Sequence, residues 1–495
     1  MSKITVNNLS FCYDGSYENV FENVSFNIDT NWKLGLIGRN GKGKTTFLKL
    51  LQGIYQYNGT IQKSVETLYF PFEVKNKEKM TIEIVNEIAP NAEEWEIIKE
   101  LNLLNTDSQI LYRNFNLLSG GEQVKILLIS LFLKENKFLL IDEPTNHLDI
   151  QTRNNLIEYL NKKSGFIIVS HDRDFLDKVV DHIISINNTN IEVQKGNFSS
   201  WQENKNRQDN FEKSQNEKLK KDILRLQEAA KDITNWSNNG EKAKYKNKNS
   251  ETTIDRGYVG HKSAKMMKKA KIIENRIDKA IDEKSKLLNN VDRSDELKII
   301  PLLSKKNSLI LAKNLQIKYD DKLIFAPISF EVNNGDRIAI TGKNGVGKSS
   351  ILKLIVEGKL KYSGNFNKAN ELKISYVPQN TDELQGKLKL FARENKVDES
   401  IFKAMLSKMG FSKTDFEIDI KKMSEGQKKK VLIAKSISEN AHIYVWDEPL
   451  NYIDILTRIQ IEEAILKYKP TIIFVEHDET FVKHVANKVI KLSHI

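Results

Sequence analysis

An ordered set of four short motifs is written twice along this chain. The phosphate-loop pattern GRNGKGKTT (residues 38–46) returns as GKNGVGKSS (residues 342–350). After each comes a short glycine-bearing signature, then an apolar segment ending in Asp-Glu-Pro, then a lone histidine. One phosphate loop implies only a bound nucleotide, whereas the ordered duplicate implies two ATPase halves able to close on each other. A lysine-rich, helix-patterned insert separates the copies.

The chemistry follows from the residue types. GxxxxGK[ST] is met by Gly38, Gly43, Lys44 and Thr45, and again by Gly342, Gly347, Lys348 and Ser349. An apolar strand precedes each loop and a helix follows, the context in which the motif is meaningful. Backbone N–H groups around Asn40, Gly41, Thr46, Asn344, Gly345 and Ser350 are then expected to wrap the phosphates, aided by the helix N-terminus. Lysine neutralises β/γ oxygens, and the Thr45 and Ser349 hydroxyls are candidate Mg2+ ligands. Asp142 and Asp447 end apolar strands, where a carboxylate supports the metal. Glu143 and Glu448 follow at once, placed to orient or deprotonate water. His171 and His477 are candidates to read the γ-phosphate. The signatures LSGGEQ (residues 118–123) and MSEGQ (residues 423–427) have the Ser-x-x-Glu/Gln form of a capping box, so each starts a helix. Ser119, Gly120, Gly121 and Gln123, with Ser424, Gly426 and Gln427, are expected to face the nucleotide of the opposite half.

The fold class is α/β: two tandem phosphate-loop ATPase domains joined by a long helical hairpin. Domain one is residues 1–200, the linker 201–300 and domain two 301–495. Strand-like runs at residues 32–37, 138–141 and 166–169 have counterparts at 336–340, 443–446 and 471–475, as a mostly parallel sheet requires. Within the insert, Phe211, Leu219, Ile223, Leu226, Ala230 and Ile233 recur at helical steps over residues 201–235, and Met266, Ala270, Ile273, Ile277 and Ile281 do so over 262–288. Two helices of roughly 45–50 Å are expected, joined by a polar basic tip at about residues 237–260.

Net charge is +11, which invites a polyanionic partner. Roughly +7 of that excess lies within residues 201–300, by count about 24 Lys and Arg against about 17 Asp and Glu. Cys12 is the lone cysteine, so disulfide scaffolds and cysteine-based zinc sites are excluded and a cytoplasmic home is expected. The amino terminus has no signal-peptide pattern, and no apolar run is long enough to span a bilayer.

Together the phosphate loop, signature, Asp-Glu and His resemble ATP-binding cassette proteins, and FLLIDEPTNHLD (residues 138–149) resembles the ABC-F branch. That resemblance covers nearly the whole chain. It implies ATP and Mg2+ as ligands and two composite sites within one monomer. Lys44, Asp142, Glu143 and His171 would face Ser424 and Gly426, while Lys348, Asp447, Glu448 and His477 would face Ser119 and Gly121. Tyr13 and Tyr319 would stack adenine, and Gln379 would contact Mg2+. Two departures fall in the composite site built on Lys44: Phe72 stands where Gln379 sits in the other copy, and Glu425 replaces a signature glycine. That site is expected to turn over more slowly than its partner.

The resemblance further implies a ribosome partner, through large-subunit rRNA and P-site tRNA, with no membrane or DNA partner. Lys42, the tip ending at residues 255–271 and the lack of a coiled coil after His494 are similar to the Lsa- and Vga-type resistance proteins. These shield the peptidyl-transferase centre from lincosamides, pleuromutilins and streptogramin A. Basic and aromatic residues of the insert suit RNA: Lys242, Lys244, Tyr245, Lys246, Lys248, Arg256, Tyr258, His261, Lys262, Lys265, Lys268 and Lys269. A housekeeping ABC-F translation factor is the alternative, and a drug-efflux ATPase subunit leaves the basic insert unexplained.

Overall fold

The computed structural model describes residues 2–15, 19–145, 148, 150–187, 189–246, 265, 268, 271–273, 275–277, 279, 296–319, 322–343, 345–476 and 478–493. The chain divides into two compact units, Met1–Trp201 with Asp295–Ile495, and Gln202–Ser294.

Both cassettes lie in the first unit, and each is built on a largely parallel sheet. In the first, the strand order is Glu66–Phe70, Lys137–Asp142, Phe166–Val169, Lys33–Gly38, His182–Asn187 and Asn190–Lys195, antiparallel only at the last pair. The second repeats the order with Ile374–Val377, Ile443–Asp447, Ile472–Val475, Arg337–Thr341 and Lys488–Lys491. A small antiparallel sheet flanks each, formed by Phe21–Asp29, Lys3–Phe11 and Asn58–Lys63 in the first cassette.

The central strands are continuous apolar runs because both sheet faces are covered. Alternate residues feed two cores. Leu139, Ile141, Phe166 and Ile168 point to the helical side, whereas Phe138, Leu140, Ile167 and Val169 point toward the antiparallel sheet. The same alternation divides Tyr444, Trp446 and Phe474 from Ile443, Val445 and Ile473. The expected α/β class with two cassettes is the class observed. Polar residues that end these strands, among them Asp142 and Asp447, consequently emerge together at the carboxyl edge of the sheet.

The insert begins with a helix, Phe198–Lys246, of 49 residues, about 73 Å at 1.5 Å per residue. Its first turn is anchored by Phe198 and Trp201 in the first cassette's core. The expected loop from residue 237 is corrected here, since the helix continues through Asn238, Asn239 and Gly240 to Lys246. Glycine costs about 1 kcal/mol in a helix, but Glu241, Lys242, Ala243 and Lys244 are good helix formers that carry the helix past it. Leu219, Ile223 and Leu226 are half-buried as the stripe requires, whereas Phe211 is 63% exposed. Most of the second arm and tip lies outside the described residues.

Candidate functional site

Strand Lys33–Gly38 runs through the first phosphate loop into helix Lys44–Gln52. Gly43 caps that helix at φ 96°, and a Cβ there would stand 2.6 Å from Val20 Cγ1 and 2.9 Å from Phe21 Cζ. No other residue fits without moving the loop. Lys44 Nζ donates to Gly38 O (2.8 Å) and Asn40 Oδ1 (3.0 Å), folding the ammonium into the loop. Thr45 Oγ1 and the Tyr69 hydroxyl each donate to Asp142 Oδ2 at 2.9 Å. Tyr13 OH meets Thr46 Oγ1 at 2.6 Å, so this 43%-exposed ring stands at the loop's mouth, edge-on to Phe11 and Tyr55.

Glu143 and Glu448 both adopt left-handed backbone conformations, φ 53° and 45°. Such geometry costs about 1–3 kcal/mol for a side-chain-bearing residue, and it occurs at the same motif position in both copies. Among the described residues, neither Glu143 carboxylate oxygen completes a hydrogen bond, and His171 Nε2 lies 3.2 Å from Oε1. Burial pushes the Glu143 carboxyl up to about 7, against the pull of the Lys44 charge. Burial, then the Lys44 and Arg458 charges, holds His171 well below its ordinary range, so the imidazole is neutral.

The first loop is completed by the second cassette. Asn40 Nδ2 donates to Tyr452 O (2.7 Å), and Asn40 N donates to Asp454 Oδ2 (3.3 Å). Gly426 of the second signature is so close that a Cβ would lie 2.9 Å from Asn40 Nδ2 and 2.5 Å from Tyr452 O. Asp454 is fully buried and bound by Lys430 Nζ at 2.7 Å and Thr457 Oγ1 at 2.9 Å. The Lys430 and Lys44 charges overcome its desolvation and hold it well below the carboxylate range. Farther out, Arg173 of the first cassette pairs with buried Glu462 of the second at 2.8 Å. Sequence reasoning missed Asp454, Lys430, Tyr452 and Arg458. A signal existed, because EPTNHLD and EPLNYID both end in Asp, at Asp149 and Asp454.

Around the second loop the partners seen among the described residues are local. Lys348 Nζ donates to Gly342 O (2.9 Å), and Gly347 repeats the φ of 96°. Ser349 hydrogen-bonds Asp447. Gln379 Nε2 and Asn451 Nδ2 both donate to Glu448 Oε2, at 2.9 and 2.7 Å. Among the described residues, the carboxylates that support the Lys348 ammonium are Glu448 and Asp447 of its own cassette, whereas for Lys44 the first is Asp454 of the other.

Both signatures open helices through the expected capping boxes, Ser119 with Glu122 and Ser424 with Gln427. Gln123 turns its amide to Phe115 O and Leu118 O, and Gln427 donates to Asp415 Oδ1, all within their own cassettes. Gly121 neighbours Leu148 and Thr152, also of its own cassette, and Gly120 has open space beside it. Glu425, expected near a γ-phosphate, is held by Thr381 and by Lys428 at 2.8 Å. These hydrogen bonds, Lys428 first, keep its pKa lowered. Phe72 packs on the first core. Asn344 and His477 lie outside the described residues, and Tyr319 ends the strand Ser308–Tyr319. Of the basic candidates, Lys242, Lys244, Tyr245 and Lys246 end the long helix, and Lys265 and Lys268 are helical and exposed. Lys248, Arg256, Tyr258, His261, Lys262 and Lys269 lie outside the described residues.

The donor set suits a divalent cation. Among the described residues, Asp447 Oδ1 is buried with no hydrogen-bond partner while Ser349 engages the same carboxylate, and burial raises that carboxyl's pKa. An orphaned anionic oxygen beside a hydroxyl is hard-cation chemistry.

An ABC transporter family profile matches residues 21–146 and 325–451, one match per cassette. The chain belongs to the ABC-F family. It is an ATPase. This ABC-F chain is 29% identical to the ATP-binding protein Uup of Buchnera aphidicola over 99% of its own length and 80% of that relative. It is 27% identical to the ribosome protection protein VmlR of Bacillus subtilis, over 99% and 86%. Its fold is similar to the archaeal ribosome recycling factor aABCE1, solved in complex with stalk protein aP1, at TM-score 0.61 and 18% identity over 99% and 88% of the two chains. Among the described residues of this ABC-F protein, no helix is long and apolar enough to cross a membrane.

Proposed function

We propose that this protein binds the ribosome in its ATP-closed form, carries the insert toward the peptidyl-transferase centre, and leaves on hydrolysis. The observation that carries this reading is the 49-residue helix between the cassettes, ending in Lys242, Lys244 and Lys246. A mere spacer needs no such length or charge. VmlR, which aligns over nearly the whole chain, is named as a ribosome protection protein.

In this reading Lys44 and Lys348 neutralise β/γ phosphate oxygens, and Glu143 and Glu448 orient and deprotonate water. Mg2+ would be held by Thr45 and Asp142 at one site, and by Ser349, Asp447 and Gln379 at the other, where it neutralises phosphate charge. Domain boundaries near residues 200 and 300 leave the insert to meet rRNA and P-site tRNA. Protection from lincosamide, pleuromutilin and streptogramin A drugs is the physiological outcome.

Sedimentation of a Glu143→Gln/Glu448→Gln protein with ribosomes tests the central claim. With ATP, the variant is expected in the ribosomal pellet; absence from it in ATP defeats the reading. Susceptibility of a deletion strain to lincosamides then separates protection from a housekeeping translation role. Unchanged susceptibility favours the latter.

A further inference from the structure

Aligning the two copies residue by residue exposes an exchange that the ATPase motifs do not explain. Counting from the signature serines, Val124 of the first cassette corresponds to Lys429 of the second. Counting from the paired histidines, Ser170 corresponds to Glu476, and counting from the Asp-Glu-Pro turns, Thr145 corresponds to Leu450. Three neutral residues of one cassette have become a lysine, a glutamate and a leucine in the other.

Two of the positions meet in the first cassette, and in the second all three come together. In the first, Thr145 Oγ1 and Ser170 Oγ meet at 2.9 Å, and both are buried. In the second, Glu476 is 6% exposed and accepts the Leu450 backbone N–H at 2.7 Å, replacing that hydroxyl pair. Lys429 is 2% exposed and spends its ammonium on three carbonyls: Pro378 O at 2.7 Å, Gln379 O at 3.0 Å and Asp447 O at 3.3 Å. Burial draws its pKa down to about 8, opposed first by the Glu476 carboxylate and then by Asp447 and Glu448.

A buried ammonium is expensive to keep unless its position matters. Here it joins the backbone of Gln379 to the end of the strand that carries Asp447 and Glu448. Gln379 in turn donates its side-chain amide to Glu448 Oε2. The first cassette has Phe72 at the glutamine position and Val124 at the lysine position, so the amide and its anchor are absent together.

We infer that Lys429 is a positioning residue that fixes Gln379 and thereby aims the Glu448 carboxylate at the second site. The inference rests on the proposed role of Glu448 as the water-orienting carboxylate. Lys429 touches neither substrate nor water in this scheme.

The test uses the full chain carrying Glu143→Gln, so that the measured turnover is that of the Lys348 site. Lys429→Val alone removes the positive charge near the buried Glu476 carboxylate, and its melting temperature is expected to fall. Lys429→Val with Glu476→Ser brings in two of the first cassette's three residues, and melting is expected to return toward the parent. In that pair variant kcat should stay about tenfold low while KM for ATP is unchanged, because aim is lost and binding is not. Adding Gln379→Ala should cost the parent about the same factor and the pair variant nothing further, since both act along one path. A refolded pair variant with parental kcat overturns the inference, as does an additive Gln379→Ala effect. Should that pair fail to fold, Lys429→Met with Glu476→Gln keeps shape and the Leu450 acceptor, and the same kcat and KM split decides. Failure of the underlying reading looks different: the Glu143→Gln parent would then be insensitive to Glu448→Gln.

Discussion

The two phosphate loops are near copies in sequence and geometry, yet their surroundings are unlike. Lys44 feels Asp454 and Lys430 of the opposite cassette, Gly426 of that cassette closes on Asn40, and burial raises the Glu143 carboxyl to about 7. Among the described residues, Lys348 is supported by carboxylates of its own cassette, and its Glu448 is held by Gln379 and Asn451. Among the described residues, one loop is finished by the other cassette and has Phe72 where its copy has Gln379. The other has its carboxylate held by Gln379 and Asn451. In the proposed scheme, loop sequence governs the grip on phosphate and the residues behind the loop govern how the carboxylate meets water.

The contrast is open to several tests. The largest effect is expected at Asp454, which meets Asn40 of the first cassette: Asp454→Ala leaves the Lys430 ammonium of its own cassette buried without a carboxylate and should cost about 3–5 kcal/mol of stability in chemical denaturation. Little change would mean that this buried ion pair is not formed in solution. Next, Glu448→Gln should lower steady-state ATP turnover about a hundredfold, about 2.7 kcal/mol in barrier. Glu143→Gln should leave it nearly unchanged. Equal losses would erase the asymmetry. Smallest, Phe72→Gln in the Glu448→Gln background restores the missing amide, and residual turnover should rise about threefold. No gain would place the defect elsewhere.

How much of this could be read from the chain alone differs by level. The continuous apolar run Phe138, Leu139, Leu140 and Ile141 reads as a buried parallel strand, and the glycine, lysine and hydroxyl spacing locates both loops, because those signals are local. Phe72 against Gln379 was visible as a mismatch between copies. Asp454 and Lys430 were not recognised, since their role depends on which cassette they meet, and that is a tertiary fact. The helix end at Lys246 was misplaced because Asn-Asn-Gly reads as a breaker, while the run after it is strongly helix-forming. Glu425 was expected to point at phosphate, but Thr381, distant in sequence, holds it in its own cassette.

The helix Glu425–Ser438 has a consequence of its own. Its first turn carries Gly426, against Asn40 of one site, and barely a turn later it sends Lys429 to the backbone of the other. A single rigid rod thus has a stake in both reaction centres, and helices do not stretch. Any ligand that shifts its amino end must act on Gln379, and linkage makes the influence mutual. Whatever sharpens Glu448 must also change how tightly the first loop holds its nucleotide. The two sites keep separate chemistry but share one mechanical degree of freedom.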